Sequence, residues 1–391
     1  MSLLSDRFLL KENKRRLLNI RGIINGAVAF KGPDVVQIDL TDRCRSHCLA
    51  CWLHSPMCAE QSAGAFDDLD FPVIEDIIND AASYGTREII ISGGGEPFLY
   101  PRIWDVLELI EKTGMRFRIN TSLNECGIGD MNRIASFKKL ASITTSIWAA
   151  EGQLYARLHG RRDADFQKVV DNLTAFNSVK GLGPRAVLFC LITSLNYRCI
   201  RALRQLAVSS KSDGIEFGLP DTIPGVTDSL LLNKDQLVVL YEDFSRLCRE
   251  KNTAVRIING DIFAARVLSR TAPAGEYDSP IADARCVAGW MFLRVKANGD
   301  YNSCLKSHRM PIGNAYNESI YSVWNNALQQ RFRMESLKIP KDAGYFACIG
   351  NADKAGVGCK RVCDNTLINR SLYRFVAGLF RYGIGRHNEK N

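Results

Sequence analysis

The sequence predicts an α/β protein, a partial (β/α)6 barrel of parallel strands followed by a small cysteine-rich module. Three observations carry that expectation. From Val35 to about residue 260, short β-rich runs alternate with helical patterns, the rhythm of βα units in a parallel sheet. After Ile258 the alternation stops, and Thr271 to Asp283 is rich in proline, glycine and alanine, as linkers are. Past that stretch, cysteines flank an Asn298-Gly299 pair between two apolar runs, the signature of a β-hairpin.

The elements follow in order. Val36 to Leu40 reads as a strand leading straight into Cys44. Asp70-Phe71-Pro72 opens a helix with Ile74, Ile77, Ile78 and Ala81 on one face and Gly85 closing it. Glu88 to Ser92 is a strand ending in a glycine run. Ile103 to Lys112 is a helix stopped by Gly114, ahead of a strand at Arg116 to Thr121. Ile143 to Trp148 and Ala186 to Thr193 are further strands, and Phe166 to Phe176 and Ile200 to Ala207 helices. Gly214 to Gly218 is extended and Leu237 to Cys248 helical. The expected hairpin runs from Met291 to Lys296 and from Tyr301 to Cys304, and Asp342 to Asp364 is irregular. The organisation is then a basic helical extension (1–34), the barrel (35–260), a linker (261–283), the cysteine-rich module (284–370) and a basic amphipathic tail (371–391). In a TIM-type barrel the chemistry sits at the C-terminal ends of the strands. The first cysteines, the glycine run and Asn120 all fall there.

The bulk numbers exclude several classes. With 391 residues the chain is long enough for one large domain and an appendage. It has no apolar run of the roughly 20 residues a membrane span needs, and no signal-peptide core, so stable membrane insertion is not expected and the cytoplasm is. The net charge of +9 comes largely from Lys11 to Arg21 and Arg370 to Arg386. No nucleic-acid-binding signature accompanies it, and it reads as a solvated basic face, with an anionic substrate as the sharper alternative. Thirteen cysteines in a reducing compartment point to metal ligation rather than disulfides.

Cys44, Cys48 and Cys51 stand in one short loop. Three thiolates suit an iron–sulfur cubane with one iron left open. Zinc, with His47 or His54 as a fourth ligand, is the alternative that spacing leaves. C-x3-C-x2-C directly after a first barrel strand resembles the radical S-adenosylmethionine (SAM) superfamily. That resemblance implies a [4Fe–4S] cluster whose open iron chelates SAM, reductive cleavage to a 5′-deoxyadenosyl radical, and hydrogen abstraction from carbon. It also implies an electron donor such as flavodoxin or ferredoxin. The family usually has an aromatic residue just before the third cysteine; here that position is Ala50, and Trp52 stands in as the expected packing surface. Gly93-Gly94-Gly95-Glu96 resembles the segment that binds the methionyl amino group. Asn120, Ser122 and Ser146 resemble residues that approach the ribose or carboxylate, although as strand-end polar residues they have an ordinary reading too.

Cys286-x12-Gly299-x4-Cys304 resembles the start of a SPASM or twitch extension. Cys348, Cys359 and Cys363 follow, too few thiols for two full clusters. The resemblance implies one auxiliary [4Fe–4S] cluster on Cys286, Cys304 and two of those three, with structural zinc as the alternative reading. Cys58, Cys126 and Cys190 default to core packing but are candidate hydrogen donors to a substrate radical. His159 reads as a packed or surface histidine. Such extensions imply either oxidation or epimerisation of a small polar substrate, sugar- or aminocyclitol-like, or maturation of a ribosomally made peptide. Only about 34 residues precede the first expected strand, fewer than the about 80 of a leader-binding domain, which leans slightly toward the small substrate. A non-catalytic iron–sulfur or zinc scaffold is the remaining class.

Overall fold

A computed structural model describes residues 3–58, 67–250, 254–268, 285–350, 363 and 369–370, with side chains from residue 12 onward. Cys359, the stretch 269–284 and the tail 371–391 lie outside the described residues. One ten-stranded sheet runs through the molecule in the order β10-β9-β8-β1-β2-β3-β4-β5-β6-β7. Its barrel strands are β1 (Val35–Asp39), β2 (Glu88–Ser92), β3 (Arg116–Thr121), β4 (Leu140–Ser146), β5 (Arg185–Leu191), β6 (Gly214–Gly218) and β7 (Arg256–Ile258). Every neighbouring pair from β1 to β7 is parallel, so all seven C-terminal ends meet along one rim. The sheet does not close: β7 and β10 are its two edges.

The strands form because alternate residues give each an apolar face that the helices bury, while the other face is largely polar and lines the interior. Val36, Ile38, Ile89, Ile91, Phe117, Ile119, Ile143, Leu188 and Ile215 are all buried. The connecting helices bury one stripe each. In α2 (Phe71–Ser83) it is Ile74, Ile77, Ile78 and Ala81, and Pro72 sits in the first turn, where its missing N–H costs nothing. In α3 (Ile103–Thr113) it is Ile103, Val106, Leu107 and Ile110. Gly114 ends α3 with φ +77°, a conformation that favours glycine. The turn after β3 leads to α4 (Ile128–Ser136), α5 (Gly152–His159) follows β4, and α6 (Ala164–Val179), α7 (Ile200–Ser209) and α8 (Lys234–Arg249) complete the layer.

Two segments differ from expectation. The expected linker opens with a helix, α9 (Gly260–Leu268), because Phe263 packs against Phe217 and Phe244 at ring-centroid distances of 5.7 and 4.8 Å. The expected hairpin, β8 (Phe292–Val295) and β9 (Asp300–Asn302), is present, with Gly299 in its turn at φ +85°. It does not stand apart, however. Strand β8 pairs in parallel with β1, Val35 opposite Phe292 and Ile38 opposite Val295, and β10 (Gly313–Asn314) continues the sheet. A buried ion pair stitches this seam: Arg294 Nε donates to Asp39 at 2.8 Å, and the two side chains are 5% and 1% exposed. Helices α10 (Ile320–Trp324) and α11 (Ala327–Leu337) back the hairpin. At the other end of β1, α1 (Leu3–Asn25) is tied through Arg15 and Asn19 to Asp34 at 2.6 and 2.9 Å. No helix among the described residues is long and apolar enough to cross a membrane.

Candidate active site

Cys44, Cys48 and Cys51 lie on the loop that leaves β1, and the protein holds that loop from two sides. From below, the glycine run after β2 packs against its backbone: Gly95 N–H donates to Thr41 O at 3.0 Å and Glu96 N–H to Arg43 O at 2.9 Å. A Cβ at Gly95 would fall 2.2 Å from Arg43 O, so that position accepts no side chain without moving the loop, whereas one at Gly94 would meet only side chains, Asp42 Oδ1 first at 2.1 Å. From above, the last carbonyls of α5 accept from the loop, His159 O from His47 N–H and Leu158 O from Leu49 N–H, both at 3.0 Å. Gly160 ends α5 at φ +60°, and a Cβ there would meet His47 O at 2.6 Å. Arg161 Nε fixes Ser46 Oγ at 2.8 Å.

All three thiols open onto one cavity of about 660 Å³. Gly93, Gly94, Gly95, Glu96, Asn120, Ser122, Ser146 and Trp52 line it as well, so every residue singled out around the first cysteine loop is brought together. Glu96 is buried, and its carboxylate accepts from Thr121 Oγ1 at 2.5 Å, from Ser122 N–H and Oγ both at 2.7 Å, and from Phe98 N–H at 3.3 Å. Burial pushes its pKa up, and these donors oppose the shift. Asn120 Nδ2 donates to Ser92 Oγ at 3.2 Å and Trp148 Nε1 to Ser146 Oγ at 2.9 Å. Trp52 stacks on His308 of the hairpin module at 4.9 Å. Arg118, Glu216, Asn259 and Arg266 line the cavity too, with Asn259 Nδ2 donating to Glu216 at 2.6 Å and Arg118 paired with Glu88 at 2.7 Å. None of these four carries a motif, which is why spacing did not single them out.

Burial raises the pKa of all three loop thiols, that of Cys44 to about 11. Such thiols deprotonate when they meet a metal, not in water. Among the described residues no group of three or more His, Cys, Asp or Glu side chains is gathered to hold a lone metal ion. Of the two histidines that zinc would recruit, His54 is buried at the cavity and His47 is exposed. Three soft thiols opening onto one cavity, beside a glycine run whose Gly95 has no room for a Cβ, match a cubane with one free corner and a chelating small molecule.

His159 is almost fully buried at 1% exposure. Its Nδ1 lies 3.3 Å from Cys48 Sγ, and its Nε2 accepts from Trp148 N–H at 3.1 Å. Burial, helped by Arg161, pushes its pKa down to about 3. Cys58, Cys126 and Cys190 are buried and are not among the residues lining the cavity; burial pushes the thiols of Cys126 and Cys190 far up.

The second cysteine set is looser. Cys286 and Cys363 pack together with Ala288, and Asn369 Nδ2 donates to Cys286 Sγ at 3.4 Å. Cys363 also lines the cavity. Cys304 and the exposed Cys348 sit on two segments joined where Gly350 N–H donates to Lys306 O at 2.8 Å.

Residues 38–207 match the family model of the radical SAM superfamily, and residues 286–348 match that of SPASM, an iron-sulfur cluster-binding domain. The second match begins on Cys286 and ends on Cys348. Among solved structures, Streptococcus suis SuiB bound to S-adenosylmethionine is 18% identical, over 86% of this chain and 74% of that one, with a TM-score of 0.62. Native anSMEcpe with bound AdoMet is 12% identical, over 91% of this chain and 99% of that one, with a TM-score of 0.61. At these identities the likeness is one of fold. None of the curated proteins compared matches the chain. The cysteine loop, the glycine run and His159 all fall within the first matched span, and the hairpin within the second. The chain thus belongs to the radical SAM superfamily: it is a radical SAM enzyme with a C-terminal SPASM domain, and its cofactors are S-adenosylmethionine and [4Fe–4S] clusters.

Proposed function

We propose that this enzyme oxidises or epimerises a small, polar, sugar- or aminocyclitol-like substrate by hydrogen abstraction. The observation that carries the reading is the polar lining of the cavity onto which the thiols open, to which Arg118, Glu216, Asn259 and Arg266 add donors and acceptors. A cavity of about 660 Å³ is of ordinary ligand size. Shared with SAM, it leaves room for one compact polar group. When bound, the cluster supplies the electron that cleaves the SAM sulfonium, and the 5′-deoxyadenosyl group then takes a hydrogen atom from substrate carbon.

The chain's own residues orient and exclude. Cys44, Cys48 and Cys51 are the cluster ligands in this reading. The backbone of Gly93 to Gly95 approaches the methionyl end closely, because no side chain intervenes. Glu96 has its acceptors occupied, so its part is to hold Ser122 and the strand-end backbone at fixed positions. Asn120, Ser122 and Ser146 offer polar contacts to ribose and carboxylate, and Trp52, braced by His308, walls the cavity. One auxiliary cluster on Cys286, Cys304 and two of Cys348, Cys359 and Cys363 would accept the electron that an oxidised substrate radical gives up along with a proton. The electron for each new cleavage comes from a donor such as flavodoxin or ferredoxin.

A second reading, maturation of a peptide, is supported by the company the fold keeps. SuiB bound to precursor peptide SuiA is 19% identical with a TM-score of 0.61, and anSMEcpe with bound AdoMet and Cp18Cys peptide is 14% identical with the same score. In that case the charged lining takes one residue of the peptide. The test is anaerobic incubation of the reconstituted enzyme with perdeuterated polyols and aminocyclitols in parallel with deuterated peptides, followed by mass spectrometry of 5′-deoxyadenosine. Deuterium from a polyol supports the first reading; deuterium from peptides alone replaces it with the second.

A further inference from the structure

His159 stands between the cysteine loop and the end of β4, and its hydrogen bonds define its protonation. The Trp148 backbone amide donates to Nε2 at 3.1 Å. An amide N–H only donates, so Nε2 carries no hydrogen. The neutral imidazole then keeps its hydrogen on Nδ1, and Nδ1 is 3.3 Å from Cys48 Sγ. The ring has little freedom to turn away. Tyr155 stacks on it at 4.5 Å and Trp148 lies against it at 4.7 Å. The Tyr155 hydroxyl is itself held by Asn124 Nδ2 at 2.5 Å. The residues on either side of Cys48 are fastened to the same turn, through Leu49 N–H to Leu158 O and His47 N–H to His159 O. Cys48 is thereby held against this imidazole by its own backbone.

We infer that His159 is a positioning residue that donates its Nδ1–H to the Cys48 thiolate and raises the reduction potential of the cluster. The inference rests on the reading that Cys44, Cys48 and Cys51 hold that cluster. Reduction adds negative charge to the sulfurs, and a proton donor aimed at one of them favours the reduced form. Because the other face of the ring reads the Trp148 amide, just past the Ser146 end of β4, the donor is locked to the strand that lines the SAM cavity.

The experiment uses the full chain with its clusters reconstituted. His159→Phe keeps an aromatic ring between Tyr155 and Trp148 and removes both nitrogens. His159→Asn keeps an N–H near the Nδ1 position. EPR-monitored redox titration of the first cluster reads the effect. The expected result is an approximately tenfold shift of the reduction equilibrium toward the oxidised form in His159→Phe, about 59 mV for one electron, largely recovered in His159→Asn. Pulsed EPR of wild-type protein labelled with 15N-histidine should show a weak nitrogen coupling to the reduced cluster. A His159→Phe protein with full iron and an unchanged potential overturns the inference, as does a 15N coupling that is absent or large enough for direct ligation. Should His159→Phe fail to fold, the labelled wild type decides alone. The underlying reading is checked separately: Cys48→Ala must lose the first cluster's iron, and if it does not, the ligand set rather than the histidine is at fault.

Discussion

The two sulfur-rich regions of the molecule are built on opposite plans. Around Cys44, Cys48 and Cys51 the backbone is the scaffold. The loop is pinned by amides of the glycine run below and by the carbonyl end of α5 above, and its glycine neighbours leave no room for adjustment. Around Cys286, Cys304, Cys348 and Cys363 the described thiols are spread: two are packed together, one is partly buried and one is exposed. A site of the first kind has its shape before anything binds. A site of the second kind takes its final geometry from the group it holds, as small modules with a thin core generally do. On the function proposed above, precision is concentrated where a radical is to be released in a defined direction, and adaptability is tolerated where an electron is to pass.

The comparison can be broken most severely at Cys48. Cys48→Ala is expected to reduce 5′-deoxyadenosine formation to background, read by chromatography of anaerobic reactions, because the framework cannot replace a missing ligand. Cys304→Ala should be milder, keeping uncoupled SAM cleavage while losing product; full turnover by that variant would remove the second cysteine set from the reaction. At the seam between the two regions, Arg294→Met leaves Asp39 buried without its cation and should lower stability by about 3–5 kcal/mol, measured by denaturant unfolding. Smallest of the four is Gly160→Ala, which forces an L side chain into a left-handed turn against His47. It should cost about 1–3 kcal/mol and lower iron per chain in the first site, while the visible absorbance of the SPASM domain persists in a Cys48→Ala background.

Much of the barrel was legible because its strands are short apolar runs closed by glycine or polar residues. Glu88 to Ser92, Arg116 to Thr121 and Gly214 to Gly218 match their observed bounds. Helix α5 was not foreseen: Gly152 to His159 mixes polar and apolar residues with no clean stripe, and Tyr155, Leu158 and His159 are buried through tertiary packing, Tyr155 against Phe166 of α6 and the helix end against the cysteine loop. The first cysteine loop and the glycine run were readable since spacing and position after a strand identify them. His159 and the charged lining were not, because they are assembled from five separate elements and no local pattern marks a residue that works through a neighbour. Pairing of β8 with β1 was equally hidden. Periodicity tells that a strand exists, not which partner 257 residues away it will choose.

That pairing has a mechanical consequence. Neighbouring strands in a sheet sit about 4.8 Å apart, and β8 leads into the hairpin that ends near Cys304 just as β1 leads into the loop that begins at Cys44. The loop of Cys44 and the hairpin of Cys304 are therefore spaced by a rung of backbone hydrogen bonds rather than by a hinge. A lengthened surface loop can reshape what enters the cavity without altering that spacing, whereas a slip of one residue along the rung would displace the two cysteine sets relative to each other at once.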